Sequence, residues 1–279
     1  MRDLISRIKL SAGQIFWREA GESHRPVLIF LHGSWDDSRQ WQKIVEPLSK
    51  NFHCFAIDLL GFGNSTAIEM PSSIETEVNC LDEFLHALHL RPVYLIGHSL
   101  GAWVAVRYAL EYPDLVQGVV AIAPEGFSLT SWQQYRRFTK WLLAHPYLFQ
   151  LWLKVLEILT SVSDSAYPLV KSQAYWNFFN KFQTTCYLFF RRSRKVICSE
   201  LVADRLSQFR PPFLVLQSDA DHRSTIEQSQ SYAKAVRKSE YRVVQNVPSP
   251  ELDLQFVREI KRFLDRVQTK IDREEVELW

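Results

Sequence analysis

The sequence predicts an α/β fold: a mostly parallel sheet covered by helices on both faces, with a helical segment inserted late in the chain. Three observations predict it. Short apolar runs alternate with stretches whose apolar residues recur at helical spacing over most of the 279 residues. One strand passes into its helix through Gly97, His98, Ser99, Leu100 and Gly101, a spacing with chemical meaning. The alternation stops after Glu125 and resumes only beyond Phe209.

Taken in order, residues 8–19 read as a hairpin of edge strands turning at Ala12 and Gly13. Val27 to Leu31 is a continuous apolar strand, as a strand buried on both faces requires. It ends in His32, Gly33, Ser34 and Trp35. Asp36, Asp37 and Ser38 supply cap oxygens for a helix through Trp41, Ile44, Val45 and Leu48. The strand Phe52 to Ile57 then runs into a loop from Asp58 to Ser65 that contains Gly61 and Gly63. Ile74, Val78, Leu81, Phe84, Leu85 and Leu88 mark one face of a helix. Val93 to Ile96, between Pro92 and Gly97, forms the central strand, and its helix runs from Leu100 to Leu110 before Pro113 stops it. Gly118 to Ala123 is the next strand. Strand and helix in this rhythm form right-handed βαβ units.

Between Phe127 and Phe209 only helical periodicity remains, and the composition changes. These positions hold 18 of the 37 aromatic residues, and 11 Lys or Arg face four Asp or Glu. The remainder of the chain is therefore net acidic. A helix from Tyr147 to Val162 places Gln150, Lys154, Glu157 and Ser161 in one narrow polar stripe and leaves the rest bulky and apolar. That favours burial, with a pocket on the inner side; a membrane-facing surface is the alternative. Arg191, Arg192, Arg194 and Lys195 follow Tyr187 to Phe190, as in a solvated helix end or an interfacial anchor for anionic lipid. Alternation resumes with the strand Phe213 to Leu216, a helix near Thr225 to Val236, the strand Tyr241 to Val244, and a final helix carrying Phe256, Ile260, Phe263, Leu264 and Val267.

Composition excludes several classes of function. A net charge of +2 gives no reason to expect a nucleic-acid partner. Cys54, Cys80, Cys186 and Cys198 form no C-x-x-C pair, so free thiols are expected rather than a disulfide framework or zinc site. No His cluster has metal-ligand spacing, and neither metal nor cofactor is expected. Charges run through the apolar positions of the first ten residues, unlike a signal peptide, and no apolar run has spanning length. The expected location is cytoplasmic, a reading that admits peripheral contact with a membrane.

The chemistry centres on residues 97–101. A serine on a tight strand-to-helix turn sits in strained backbone geometry, and only small residues two before and two after it avoid a clash. The turn lifts the hydroxyl clear of the sheet, and the N–H of Leu100 opens the helix where an oxyanion is stabilised. With Gly97 to Gly101 in this context, the chain resembles the α/β-hydrolase fold superfamily, in particular its lipase- and esterase-like members with a helical cap. Further stretches carry the resemblance in the same order: His32-Gly33-Ser34, the loop Asp58 to Ser65, and Leu214 to Asp221. It implies Ser99 as nucleophile, Asp221 (rather than Asp219) as the acid, and the N–H groups of Ser34 and Leu100 as oxyanion donors. It divides the chain into a core, 1–126 with 210–279, and a cap, 127–209.

One part of the pattern is missing. The superfamily places its catalytic histidine after the last strand, where this chain reads Pro248, Ser249 and Pro250, and no histidine follows His222. Ser249 reads instead as the cap of a helix start. Asp221 has an alternative role as a helix cap. His222 is the non-standard candidate for the base, with Glu125 as its carboxylate; His145 in the cap is another. His32 and His98 read as structural residues. The implied function is a serine hydrolase cleaving a lipophilic ester through Ser99, weak for want of a base. The alternative is a catalytically degenerate hydrolase fold that binds a hydrophobic ligand or partner without turnover. The expected partner is a lipophilic small molecule, with peripheral membrane contact through the cap as a further expectation and no nucleic acid.

Overall fold

The computed structural model describes residues 4–69, 73–128 and 181–277, with a few single positions between 145 and 177. Its strands are β1 (Leu4–Lys9), β2 (Gly13–Ala20), β3 (Val27–Leu31), β4 (His53–Ile57), β5 (Thr66–Ala67), β6 (Val93–His98), β7 (Val116–Ile122), β8 (Phe213–Ser218) and β9 (Ser239–Val244). Among the described residues the α-helices are α1 (Gln42–Leu48), α2 (Ile74–Ala87), α3 (Leu100–Glu111), α4 (Gln183–Cys186), α5 (Arg194–Ser199), α6 (Arg223–Ala235) and α7 (Leu254–Glu277). All nine strands form one sheet in the order β1-β2-β4-β3-β6-β7-β8-β9, with β5 beside β2. Pairings of β2 with β1, β4 and β5 are antiparallel, and the rest are parallel.

The apolar runs are explained by two-sided burial. Along β3, Leu28 and Phe30 face a layer built by Ile44 and Leu48 of α1 and Phe256, Ile260, Phe263 and Leu264 of α7. Ile29 and Leu31 face the opposite layer, with Phe84, Val104, Tyr108 and Tyr232 from α2, α3 and α6. From β3 the chain moves to β4 on one side, whereas from β6 it moves to β7 on the other. The carboxyl ends of β3 and β6 therefore flank a topological switch point, where open α/β sheets bind ligands. Both His32-Gly33-Ser34 and Ser99 lie there.

Several elements differ from the sequence reading. The hairpin begins at Leu4, because the exposed residues of β1 alternate too weakly to mark a strand. Ser249 does not cap the last helix: it lies in a short 3₁₀ turn, Ser249–Glu251, and α7 starts at Leu254. The run before the basic cluster is a π-helical turn, Tyr187–Arg191, and its Leu188, Phe189 and Phe190 enter the core. Arg192 is buried and donates to both oxygens of Glu200 at 2.6 and 2.7 Å. It is therefore no lipid anchor, since a buried guanidinium persists only when paired. Arg191, Arg194 and Lys195 stay exposed.

Most of 147–162, including Gln150, Glu157 and Ser161, lies outside the described residues. Where that stretch is described, the expected burial fails. Tyr147, Leu148, Leu151 and Val155 are exposed, at 83%, 51%, 59% and 45%. The four cysteines are free, and Cys198 alone of them is exposed. No helix among the described residues is long and apolar enough to cross a membrane, and they contain no cluster suited to a metal ion.

Phe263 is buried on α7, close enough to Gly118 of β7 that a Cβ there would meet its ring at 3.4 Å. Phe263→Ala should cost about 3–5 kcal/mol, measured as a fall in the denaturant midpoint at unchanged m-value.

Candidate active site

Ser99 occupies the junction of β6 and α3 with φ 51° and ψ −109°, a strained conformation for a residue with a side chain. Its N–H donates to Ile122 of β7 at 2.9 Å, and its carbonyl accepts from Trp103 and Glu125, both at 3.2 Å. Close approach of α3 to β3 dictates the glycines. A Cβ on Gly101 would stand 2.1 Å from the Leu31 carbonyl oxygen, and one on Gly97 would stand 2.4 Å from the Gly101 carbonyl oxygen. Leu100 is the first residue of α3, so its N–H has no acceptor within the helix and sits at the positive end of the dipole.

Ser34 is brought to Ser99 from the end of β3. Its hydroxyl lies 3.4 Å from the Ser99 hydroxyl and donates to Glu125 Oε2 at 3.2 Å. Gln40 fixes the approach of this strand end: its Oε1 accepts from Gly33 N at 3.0 Å and its Nε2 meets His98 Nδ1 at 2.8 Å. Burial, reinforced by the neighbouring His32, pushes His98 down to about 4, so at neutral pH its Nδ1 accepts the Gln40 amide proton. His32 is likewise held neutral by burial; its Nδ1 donates to Gly33 O at 2.8 Å and its Nε2 accepts from Leu59 N at 3.1 Å. Both histidines are scaffold residues. From the inserted segment, the buried Thr185 hydroxyl donates to Ser34 O, and Thr184 donates to Gly61 O at 2.8 Å.

Glu125 completes the cluster. Its N–H donates to Ser99 O, its own carbonyl accepts from Tyr232 at 2.5 Å, and its partly buried carboxylate accepts from Ser34 and Ser99. Burial pushes the Glu125 carboxyl up to about 7, against the lowering effect of those two hydroxyls.

Asp221 lies elsewhere in the hydrogen-bond network. Its Oδ1 accepts from Ser249 N at 2.9 Å, and its Oδ2 accepts from the Ser249 hydroxyl and from Gln217 Nε2 at 2.5 Å. Asp221 and Ser249 are thus direct partners, and no bond among the described residues links either to Ser99. Nor does Asp221 cap the helix after it; His222 does. The His222 ring accepts from Ser224 N at 3.3 Å and meets the Ser224 hydroxyl at 2.8 Å. It is engaged by its own helix and makes no bond to Ser99, so the geometry does not support it as a base. His145 is exposed. Sequence reasoning missed Gln40 and Thr185, which carry no motif. It named Glu125 only as a partner for His222, although a charged residue ending an apolar strand was a usable signal.

A family model described as the alpha/beta hydrolase fold matches residues 26–149. The strand order, the elbow at Ser99 and that match agree. The chain has the α/β-hydrolase fold. Among curated proteins it is 32% identical over 115 residues to a haloalkane dehalogenase of Bradyrhizobium diazoefficiens, covering 41% of this chain and 37% of that one. It is 32% identical over 127 residues to the 1-acylglycerol-3-phosphate O-acyltransferase ABHD5 of Rattus norvegicus, covering 43% and 36%. The aligned part thus spans little more than a third of these relatives. Solved structures of similar fold include a putative lipase of Acinetobacter baumannii, with TM-score 0.74, 18% identity and 96% and 93% of the two chains covered. A bacterial membrane phospholipase A gives TM-score 0.72 at 20% identity, covering 95% and 87%.

Gln40→Ala would leave the Gly33 N–H and His98 Nδ1 without their partner. A loss of about 1–3 kcal/mol of stability is expected, read by thermal or denaturant melting.

Proposed function

We propose that this chain is a serine hydrolase that cleaves a lipophilic carboxylic ester through Ser99, with the N–H groups of Ser34 and Leu100 holding the oxyanion. The observation that carries this reading is the strained, glycine-framed turn at Ser99 with the Ser34 strand end brought against it. Neither N–H finds an acceptor among the described residues, as an oxyanion hole requires. Several similar proteins are named for acyl-ester chemistry, among them a lipase, a phospholipase A and an acylglycerol-phosphate acyltransferase. That supports an acyl ester as the substrate class. Residues 127–209 are read as the cap over this site, resting on it through Thr184 and Thr185.

A second reading is favoured by the pairing of Asp221 with Ser249. The acid position is closed on itself with no imidazole between it and Ser99. A hydrolase fold without that relay binds a hydrophobic ligand and turns nothing over. The two readings separate by labelling with a fluorophosphonate, which reports serine nucleophilicity without knowledge of the substrate. On the first, wild type is labelled and hydrolyses a short activated ester well below the ~10 s⁻¹ common to enzymes, and Ser99→Ala abolishes both. Wild-type activity in Ser99→Ala would overturn the assignment. Ser249→His should not speed turnover, because position 249 is buried, hydrogen-bonded to Asp221 and flanked by prolines.

Membrane contact through the cap now has a narrower basis: the exposed Tyr147, Leu148, Leu151 and Val155, with Arg191, Arg194 and Lys195 as the basic group. Sedimentation with anionic vesicles should weaken as salt rises and fall when these three basic residues become glutamine. A protein that stays in the supernatant at low salt does not attach.

A further inference from the structure

We infer that Glu125 is the proton acceptor for Ser99, in direct contact and without an intervening histidine. The inference rests on the serine-hydrolase reading and assigns that reaction its missing base. A nucleophilic serine needs a group in hydrogen-bond reach to take its proton. Neither His222 nor the Asp221–Ser249 pair contacts it, and His32 and His98 are committed to backbone and amide partners. Glu125 is the carboxylate that does contact it.

Its placement is that of a built residue. Both its backbone polar groups are tied down, to Ser99 O and to the buried Tyr232 hydroxyl, so the carboxylate is held against the two serines. Beside it, Gly126 lies at φ 87°, and a Cβ there would strike the Trp103 ring at 2.3 Å. This glycine lets the chain turn away immediately after the acid. Ser34 supplies a hydroxyl to one carboxylate oxygen, fixing its orientation while Ser99 donates to the carboxylate. The ionisable group that faces it, Tyr232 from α6, is kept neutral by burial, which raises its hydroxyl. No cation among the described residues offsets the carboxylate, and burial outweighs the two hydroxyl bonds to raise it to about 7. A base tuned near the working pH combines a useful ionised fraction with a useful driving force for proton transfer.

The steps balance. The Ser99 hydroxyl proton passes to Glu125 as Oγ bonds to the acyl carbon, and the carbonyl electron pair moves to the oxyanion. Collapse of the tetrahedral species breaks the bond to the alkoxy oxygen, which leaves as an alcohol with the proton from Glu125. Water then attacks the acyl-enzyme, gives its proton to Glu125 and becomes part of the carboxylic acid. Departing Ser99 Oγ recovers the proton. The sum is ester and water to acid and alcohol.

The test is the rate of fluorophosphonate labelling from about pH 5 to about pH 9. Glu125 accepts a proton only when ionised, so wild-type labelling should be slow in acid, rise through about 7 and then level off. Glu125→Gln keeps the shape but accepts no proton. It should slow labelling by about 10²–10⁴-fold on the plateau and lose the rise. Glu125→Asp should be slower than wild type while retaining a rise, and it carries the test if the glutamine variant does not fold. His222→Ala should behave as wild type. A labelled wild type with Glu125→Gln (or Glu125→Asp, if that alone folds) matching it in rate and pH profile overturns the role of Glu125 and leaves the hydrolase reading standing. Loss of the rise in His222→Ala does the same. A wild type that takes no label at any pH overturns both.

Discussion

The contact between α3 and the end of β3 constrains everything around the site. The Leu31 carbonyl oxygen lies where any side chain at position 101 would begin, so the helix starts almost on top of the sheet. That proximity compresses the turn at Ser99 into positive φ and sets the Ser99 hydroxyl beside that of Ser34 at the strand end. The strain of one serine is held by the hydrophobic layers on both sides of the sheet, which fix β3, β6 and α3 relative to one another. The elbow is therefore a property of the whole core.

The core was legible in the sequence because burial on two faces leaves unbroken apolar strands and because glycines mark close approach. Val27 to Leu31, Ile74 to Ala87 and the turn at 97–101 could be placed from those signals alone. Ser99 and Ser34 were legible as candidates for the same reason: their positions are steric necessities of the turn. Gln40 and Thr185 were not, since an amide or hydroxyl reaching across the fold leaves no trace in local periodicity. The reach of Glu125 was hidden likewise. Its effect depends on a neighbour 91 residues away in sequence, Ser34. The basic cluster misled because charge in a sequence suggests solvent, whereas Arg192 has its counter-charge on Glu200, a turn of chain later.

The inserted segment is not a loose addition where it is described. Leu188, Phe189, Phe190 and Ile197 share a core cluster with Trp103 and Tyr108 of α3. The Glu200 that neutralises Arg192 also accepts, through its carbonyl, from Trp103 Nε1 at 3.1 Å. The residue that neutralises Arg192 thus also joins this segment to α3, the helix that begins after Ser99. Movement of this part of the insertion away from α3 would break the Trp103–Glu200 bond and uncover the apolar cluster they share.

The pairing of Asp221 with Ser249 has a consequence for reading ancestry. An aspartate that loses an imidazole partner is ordinarily left with an unsatisfied buried oxygen, and stability then opposes the loss. Here the serine hydroxyl and its own backbone N–H fill both acceptor sites, with Gln217 alongside. Replacement of a histidine by serine at this position would carry little folding penalty, so the fold exerts no pressure to restore it. The aspartate is kept in place by the turn it now staples. Its presence in a chain of this kind testifies to architecture and says nothing about turnover.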